Sequence, residues 1–253
     1  MTERYALRDD QWERIKNLLP GRKETVGVTA FNNRLFVEAV LYRYRTGIPW
    51  RDLPKPFGDF RVIHTRSTRW SKTGVWKRVF QVLSEDADFE YAMIDSTIVR
   101  AHQHSAGALN SKAEQEAIGR SKGGLTTKIH AVVDALGNPT LFFLTKGQAS
   151  DLQGADVLLP QVDTMAVLGD KAYDATERVI APLISQGIEA VIPSKKNRLQ
   201  PRTYDQVLYQ ARHLIENFFA KLKQFRAIAT RYDKRSLNFL GGIYLAASVI
   251  LLA

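Results

Sequence analysis

The chain has 253 residues, 45% of them hydrophobic, so it can bury one large core or two modest ones. Its 36 Lys and Arg exceed its 26 Asp and Glu, and the net charge of +10 favours a polyanionic partner such as nucleic acid. The absence of cysteine excludes disulfides, thiolate zinc sites and a cysteine nucleophile, so a metal must be bound by carboxylate or imidazole groups.

The first 88 residues have helical patterns and predict a small all-α domain. The predicted helices cover residues 9–19, 31–45, 60–72 and 75–84. The first of them is expected to bury Trp12, Ile15 and Leu19. A turn rich in proline and glycine precedes the helix at 60–72, and this order suggests a helix-turn-helix.

The helix at 60–72 is predicted to have one basic face and one packed face. On a helical wheel, Ile63 and Trp70 point away from a polar arc of about 80°. That arc contains Arg61, Thr65, Arg69 and Lys72. Such a helix can reach phosphates or guanine edges while its apolar face fixes its pose, and Arg66 is a further candidate contact. A solvated basic face is the alternative.

From Tyr91 onward the pattern changes to strands that alternate with helices, which predicts a mixed α/β sheet in a second domain, residues 89–253. Helices are predicted at 151–161, 174–186, 204–224 and 236–252, and a mobile loop at 106–124. No apolar signal core is seen at the N-terminus, and the apolar run at 243–253 is too short to span a bilayer. We therefore expect a cytoplasmic protein without a membrane partner.

Three acidic residues are candidates for catalysis. Asp95 and Asp170 each follow a buried apolar run, and open α/β sheets place ligand sites at strand ends. Glu216 is selected by helical spacing, because it shares an arc of about 60° with Tyr209, Arg212 and Lys223. Taken singly, the aspartates could be strand-end caps, and Glu216 could form an ordinary surface salt bridge with Arg212.

Several other polar residues have simpler interpretations. His102 and His104 offer imidazoles for a metal, but no third ligand is evident, and His130 is expected to pack in a strand or face DNA. Asp134 is expected to form a hairpin turn. Asp174 either supports the acidic site or caps the next helix. The basic loop with Lys195, Lys196 and Arg198 either contacts DNA or is solvated.

Together these residues resemble a known family. The spacing Tyr209-x2-Arg212-x3-Glu216-x6-Lys223 matches the Tyr-Arg-Glu-Lys signature of bacterial insertion-sequence transposases of the DDE type, in the families numbered four and five. The segments GDKAYD around Asp170 and MIDSTIVRAHQHSAG around Asp95 resemble the motifs of the family's two aspartates. Segments elsewhere, such as RTGIPWRDLP and GRSKGGLTTKIHAVVDALG, extend the resemblance over nearly the whole chain.

The resemblance implies a ribonuclease-H-like catalytic domain behind an N-terminal DNA-binding region. It makes Asp95, Asp170 and Glu216 ligands of two Mg²⁺ ions, for which Mn²⁺ substitutes, in DNA cleavage and joining. Tyr209, Arg212 and Lys223 become candidate contacts to DNA phosphates. The expected partners are the terminal inverted repeats of the element, target DNA and a second copy of the chain in the DNA complex. When bound to DNA, the protein is expected on the bacterial nucleoid.

Two other functions remain open from the sequence. The basic helix at 60–72 also suits a DNA-binding repressor that keeps the fold without the chemistry, although all three acidic residues are present. A metal-dependent nuclease without strand transfer would use the same acidic residues.

Overall fold

The computed structural model describes residues 5–23, 29–106, 116–121 and 123–253. The first helices are α1 (Asp9–Ile15), α2 (Asn33–Thr46), α3 (Phe60–Lys72) and α4 (Val75–Leu83). Next come β1 (Tyr91–Ala101), β2 (Gly119–Ser121), β3 (Gly124–Val133), β4 (Pro139–Lys146), α5 (Leu152–Leu158), β5 (Ala166–Leu168), α6 (Ala181–Ser185) and β6 (Glu189–Val191). The last elements are α7 (Gln206–Tyr209), α8 (His213–Lys223), α9 (Arg226–Ala229), β7 (Thr230–Arg231) and α10 (Ser236–Leu251).

The helices predicted for the first 88 residues are confirmed, with one correction to the core. Asp59 begins α3 by accepting a hydrogen bond from the backbone N–H of Arg61 at 2.8 Å. The predicted burial of Trp12 is wrong, because its side chain is only half-buried. Gln11 takes the inner position and donates a hydrogen bond to the carbonyl of Leu252 at 3.2 Å.

Two compact units make up the chain, and they differ from the linear division at residue 88. One, the helical unit, contains the residues up to Glu85, a segment that begins at His102, and Lys221–Ala253. The other, the sheet unit, contains Asp86–Ala101 and a segment that ends at Ala220. The C-terminal helix α10 therefore belongs with the N-terminal helices.

Of the loop predicted at 106–124, residues 119–121 form β2, and 107–115 and 122 lie outside the described residues.

Helix α10 forms the centre of the helical unit because it is apolar on nearly every side. Phe239 and Ile243 are fully buried. A Cβ atom on Gly241 would lie 2.2 Å from the hydroxyl of Ser71 in α3, and one on Gly242 would lie 2.2 Å from the ring of Tyr44 in α2. Two adjacent glycines thus allow α10 to approach both helices closely. No helix in the described ranges is long and apolar enough to cross a membrane.

The sheet unit is organised around its central strand β1. On one side β1 pairs antiparallel with β3, from Met93↔Val133 to Arg100↔Thr126, and β4 continues the meander beyond β3. On the other side β1 pairs in parallel with β5, and β5 pairs in parallel with β6. The resulting order β4-β3-β1-β5-β6, with helices on both faces, is that of the ribonuclease-H-like fold, as the sequence predicts.

Alternation along the strands separates two apolar layers. On one face, Ile94 and Val132 pack with Ala155 and Leu158 of α5. On the opposite face, Phe142 of β4 contacts Phe218 of α8, with ring centroids 5.8 Å apart.

His130 lies on the α5 face, where it is fully buried and therefore packed, one of its two expected roles. Its Nε2 lies 2.8 Å from the hydroxyl of Thr145. A Cβ atom on Gly154 of α5 would lie 2.2 Å from its Nδ1, so the helix sits directly on the imidazole. Burial lowers the pKa of His130 to about 4.

We predict that His130 makes the folded protein sensitive to mild acid. As pH falls from about 6.5 to 4, His130 binds a proton in the unfolded chain but stays neutral in the folded protein. The free energy of unfolding is therefore about 3 kcal/mol lower at the acidic end of this range than above pH 6.5. Urea denaturation at a series of pH values measures this slope. His130→Gln should flatten it, whereas His213→Gln, which removes an exposed imidazole, should keep it. An unchanged slope in His130→Gln would contradict the prediction.

Candidate active site

Asp95 and Asp170 occupy equivalent positions beyond the parallel pairing of β1 and β5. The last aligned pair is Met93↔Leu168, and each aspartate follows two residues later. Asp95 is not at a strand end, as the sequence suggested, because β1 continues to Ala101 on its antiparallel partner β3. It lies where β1 loses its parallel neighbour, at the carboxyl end of the parallel part of the sheet. The pleat places Asp95 on the same face as its partner Ala131, which is the α8 face.

Glu216 lies in the first turn of α8, above that same face. The continuous helix predicted over 204–224 is wrong in its middle, because a 3₁₀ turn at Gln210–Arg212 separates α7 from α8. The spacing of 100° per residue therefore does not hold between Tyr209 and Glu216. The predicted packing stripe is confirmed, because Ile215, Phe218 and Leu222 are buried.

Arg212 joins two of the acidic residues. Its Nη1 atom donates to Oδ2 of Asp95 at 3.3 Å, and Nη1 and Nη2 donate to Oε1 of Glu216 at 3.0 and 2.7 Å. The Arg212–Glu216 salt bridge that the sequence suggested is thus present, and the same arginine also contacts the less exposed Asp95. The guanidinium side chain is 17% exposed, that of Asp95 19%, and that of Glu216 60%.

Burial dominates the electrostatics of Asp95. It raises the pKa of this carboxyl to about 6, against a hydrogen bond from the backbone N–H of Ser96 and the charge of Arg212. The carboxylates of Asp170 and Asp151 add to the rise, so both lie near enough to act on Asp95. The pKa of Tyr209 is raised by burial, with smaller contributions from Asp170 and Asp95. The structure therefore brings Asp95, Asp170, Tyr209, Arg212 and Glu216 together.

Asp174 does not cap the next helix, which begins after Ala175 without a side-chain cap. Its fully buried carboxylate accepts hydrogen bonds from the backbone N–H of Lys195 at 2.8 Å and from Arg198 and Arg202, each at 2.7 Å. These donors lower its pKa to about 2 against the effect of burial. Arg198 is therefore committed to an internal ion pair, while Lys195 and Lys196 line a shallow cleft beside Asp170.

A fourth acidic residue, Asp151, lies near the site and was missed by the sequence reasoning. Its Oδ1 accepts hydrogen bonds from the hydroxyl of Ser96 and, at 2.9 Å, from Nζ of Lys128. Because Ser96 follows Asp95 in a strand, Asp151 and Lys128 lie on the opposite face from Asp95. The only signal in the sequence is a lysine among apolar residues of β3, which requires a buried partner.

The remaining sequence candidates have structural roles. Asp134 forms the predicted hairpin turn, accepting from the N–H groups of Leu136 at 3.0 Å and Asn138 at 2.7 Å. His102 accepts from the backbone N–H of His104, and its ring stacks on Tyr232 at 4.8 Å. Within the described ranges, no group of three or more His, Asp or Glu side chains is arranged to hold a metal ion as it stands.

In the helical unit, α3 has the two faces that the sequence predicts. Ile63 and Trp70 are buried, and the basic arc defined above is exposed. Arg66 lies instead on the packed side, where its guanidinium stacks 4.1 Å from the centroid of Phe36 and hydrogen-bonds Asn33. Arg66 and Arg69 line a cleft of about 510 Å³ together with Arg78 of α4. Lys223, at the end of α8, is exposed.

The acidic site has the chemistry that a divalent cation requires. Its donors are carboxylate oxygens, which Mg²⁺ prefers. Asp95 and Glu216 already share one cationic group, so a positive charge between them is stabilised in this structure. The donor chemistry of these residues therefore fits a divalent cation.

Comparisons with known proteins agree with the predicted fold class and family. Residues 90–251 match the family described as "Transposase DDE domain", and residues 7–80 match "Putative transposase of IS4/5 family". The chain belongs to the DDE transposase family. The DDE match spans the segments that contain Asp95, Asp170 and Glu216 and extends through α10.

Three similar proteins come from bacteria. An uncharacterized protein, y4sN, of Sinorhizobium fredii is 51% identical over 42% of this chain and 86% of its own length. A "Putative transposase for insertion sequence element IS6501" of Brucella ovis is 40% identical over 50% of this chain and 98% of its own length. An uncharacterized 16.2 kDa protein of insertion element IS402 from Burkholderia cepacia is 33% identical over 37% of this chain and 71% of its own length.

Tyr173 of the DDE domain is fully buried, and its hydroxyl has no hydrogen-bond partner among the residues that the structure describes. We predict that Tyr173→Phe raises the free energy of unfolding by about 1 kcal/mol, because it removes a buried polar group that makes no bond. Tyr44→Phe is the matched control. The Tyr44 hydroxyl bonds Asp233 at 3.2 Å and the carbonyl of Asn238 at 3.1 Å, so its loss should destabilise the protein. Chemical denaturation of both variants measures the two signs, and destabilisation by Tyr173→Phe would contradict the prediction.

Proposed function

We propose that this transposase binds the terminal inverted repeats of its insertion sequence and catalyses DNA cleavage and strand transfer into target DNA. The observation that carries the proposal is the hydrogen bonding of Arg212 to both Asp95 and Glu216, in a site that also includes Asp170. Carboxylates from a strand and a helix hold one cationic group there, and Asp170 follows the neighbouring strand β5. An acidic centre beside an arginine suits the handling of a phosphodiester.

Asp95, Asp170 and Glu216 are the proposed ligands of Mg²⁺, with Mn²⁺ as a substitute. When bound, such ions activate an attacking oxygen and stabilise the leaving oxygen at phosphorus. The protein orients the ligands. The Ser96 N–H holds one oxygen of Asp95 at 2.7 Å, and the Ala172 N–H holds one oxygen of Asp170 at 2.8 Å. One oxygen of each aspartate is therefore held by a backbone N–H.

Three residues of the signature are proposed to hold DNA at the site. Arg212 offers a planar fork of donors that matches a phosphate, and Tyr209 beside it can hydrogen-bond or pack against the backbone. Lys223 is an exposed point charge for a further phosphate.

The basic face of α3 is proposed to bind the element ends. Arg61, Arg69 and Lys72 are exposed on that face, while packing of Ile63 and Trp70 fixes the helix. Arg66 is proposed to contribute from the wall of the cleft, which it lines together with Arg69. The expected location is the bacterial cytoplasm, on the nucleoid when DNA is bound.

We predict that Asp95→Asn and Glu216→Gln each reduce cleavage of DNA that contains the element ends by roughly 100-fold or more, because each removes a charged metal ligand. The assay follows nicked and joined products in Mg²⁺ or Mn²⁺. Glu177→Gln, which neutralises an exposed carboxylate of the same unit, should cut like the parent.

Cleavage at the parental rate by either variant would refute the site assignment. Binding of the ends without nicking in any metal would favour a repressor. Cut ends that never join a second DNA would favour a nuclease without transfer.

We also predict two protein chains in the complex with paired ends, because both ends of the element must be held together. Mass photometry with and without end DNA measures the stoichiometry. An active complex with one chain on two ends would rule out the dimer.

A further inference from the structure

The oxygen atoms of Asp95 are both occupied by donors from the chain itself. Oδ1 accepts from the N–H of Ser96 at 2.7 Å, and Oδ2 accepts from Arg212 at 3.3 Å. Oε1 of Glu216 accepts from both terminal nitrogens of the same guanidinium. Arg212 therefore occupies the oxygens through which these two carboxylates would bind a cation.

The ion pairs of the neighbouring aspartates differ from this arrangement. Asp174 holds two arginines, and Asp151 holds Lys128 and Ser96, so each has its own donors. Asp95 and Glu216 instead share one guanidinium, and the Glu216 end of the bridge is 60% exposed. The Glu216 half of the bridge opens at little cost, because ion pairs with a solvated partner contribute little to stability.

We propose that Arg212 is a displaceable internal cation that occupies the acidic site until a divalent ion binds, and is then released to a DNA phosphate. The inference rests on the proposed metal site and goes further, because it couples metal binding to DNA binding through one side chain. A released guanidinium is a strong bidentate donor for a phosphate, so DNA stabilises the state in which the carboxylates are free.

Two measurable consequences follow from this exchange. Without DNA, the ion must break the contacts of Arg212 in order to bind, and this cost lowers the affinity of the site for the divalent ion. With DNA, the displaced side chain gains a partner, so the affinity for the ion rises, and by linkage the ion raises the affinity for DNA by the same factor.

The test measures Mn²⁺ binding to the full chain by electron paramagnetic resonance, with and without a short DNA duplex of arbitrary sequence. Without DNA, we expect Arg212→Gln and Arg212→Lys to bind Mn²⁺ at least about 5-fold more tightly than the parent. DNA should tighten Mn²⁺ binding to the parent by a similar factor and have little effect on either variant.

Arg212→Lys separates displacement from simple charge repulsion, because lysine keeps the positive charge but lacks the second terminal nitrogen that also donates to Glu216. Lys171→Gln is the charge control. It removes an exposed positive charge next to Asp170 and should leave the DNA dependence of Mn²⁺ binding intact. Thermal melting confirms that each variant is folded.

Two results would overturn the inference alone. If Arg212→Lys binds Mn²⁺ like the parent, or if DNA does not tighten Mn²⁺ binding to the parent, Arg212 is not displaced. If Mn²⁺ binds the parent and Glu216→Gln with equal affinity, or if it binds neither protein, the proposed metal site is wrong and the inference fails with it. The Glu216→Gln measurement thus distinguishes the two failures.

Discussion

The parallel pairing of β1 with β5 is the constraint on which the site depends. Buried residues on both strands fix the register that ends at Met93↔Leu168. Because side chains alternate between the faces of a sheet, a slip of one residue would turn Asp95 or Asp170 towards the opposite layer. Two aspartates that are 75 residues apart in the chain therefore have equivalent positions, and the α8 face receives the third carboxylate from Glu216.

Charge balance explains why so many acidic groups can lie close together in the sheet unit. Buried carboxylates are costly unless cations or hydrogen-bond donors accompany them. Asp174 is saturated by two arginines and a backbone N–H, and it fixes the loop that follows β6. Asp151 is paired with Lys128 beneath the site. These pairs are structural, whereas Asp95 and Glu216 share a single cation that reaches solvent.

The sequence predicted most elements, and its errors have common causes. Local patterns identified α3, the β3–β4 hairpin and α10, because each has a strong apolar period or turn signal. The sequence pattern gave wrong element bounds where tertiary contacts override the local conformational preference. The helix at 204–224 is interrupted by a 3₁₀ turn, and β1 extends beyond Asp95 because β3 supplies its hydrogen bonds. The placement of α10 in the helical unit depends on close contacts at Gly241 and Gly242.

The amino-acid sequence by itself determined the α/β class, the family and the identity of the residues that meet around Arg212. Motif spacing and hydrophobic period are local properties, so they can be recognised without a structure. Only the tertiary structure decided which charged groups from distant parts of the chain contact one another. Asp174 holds Arg198, Asp151 holds Lys128, and Arg212 bridges Asp95 and Glu216. These partners lie on different elements, and an ion pair depends on distances of a few ångströms that only the packing of strands and helices sets.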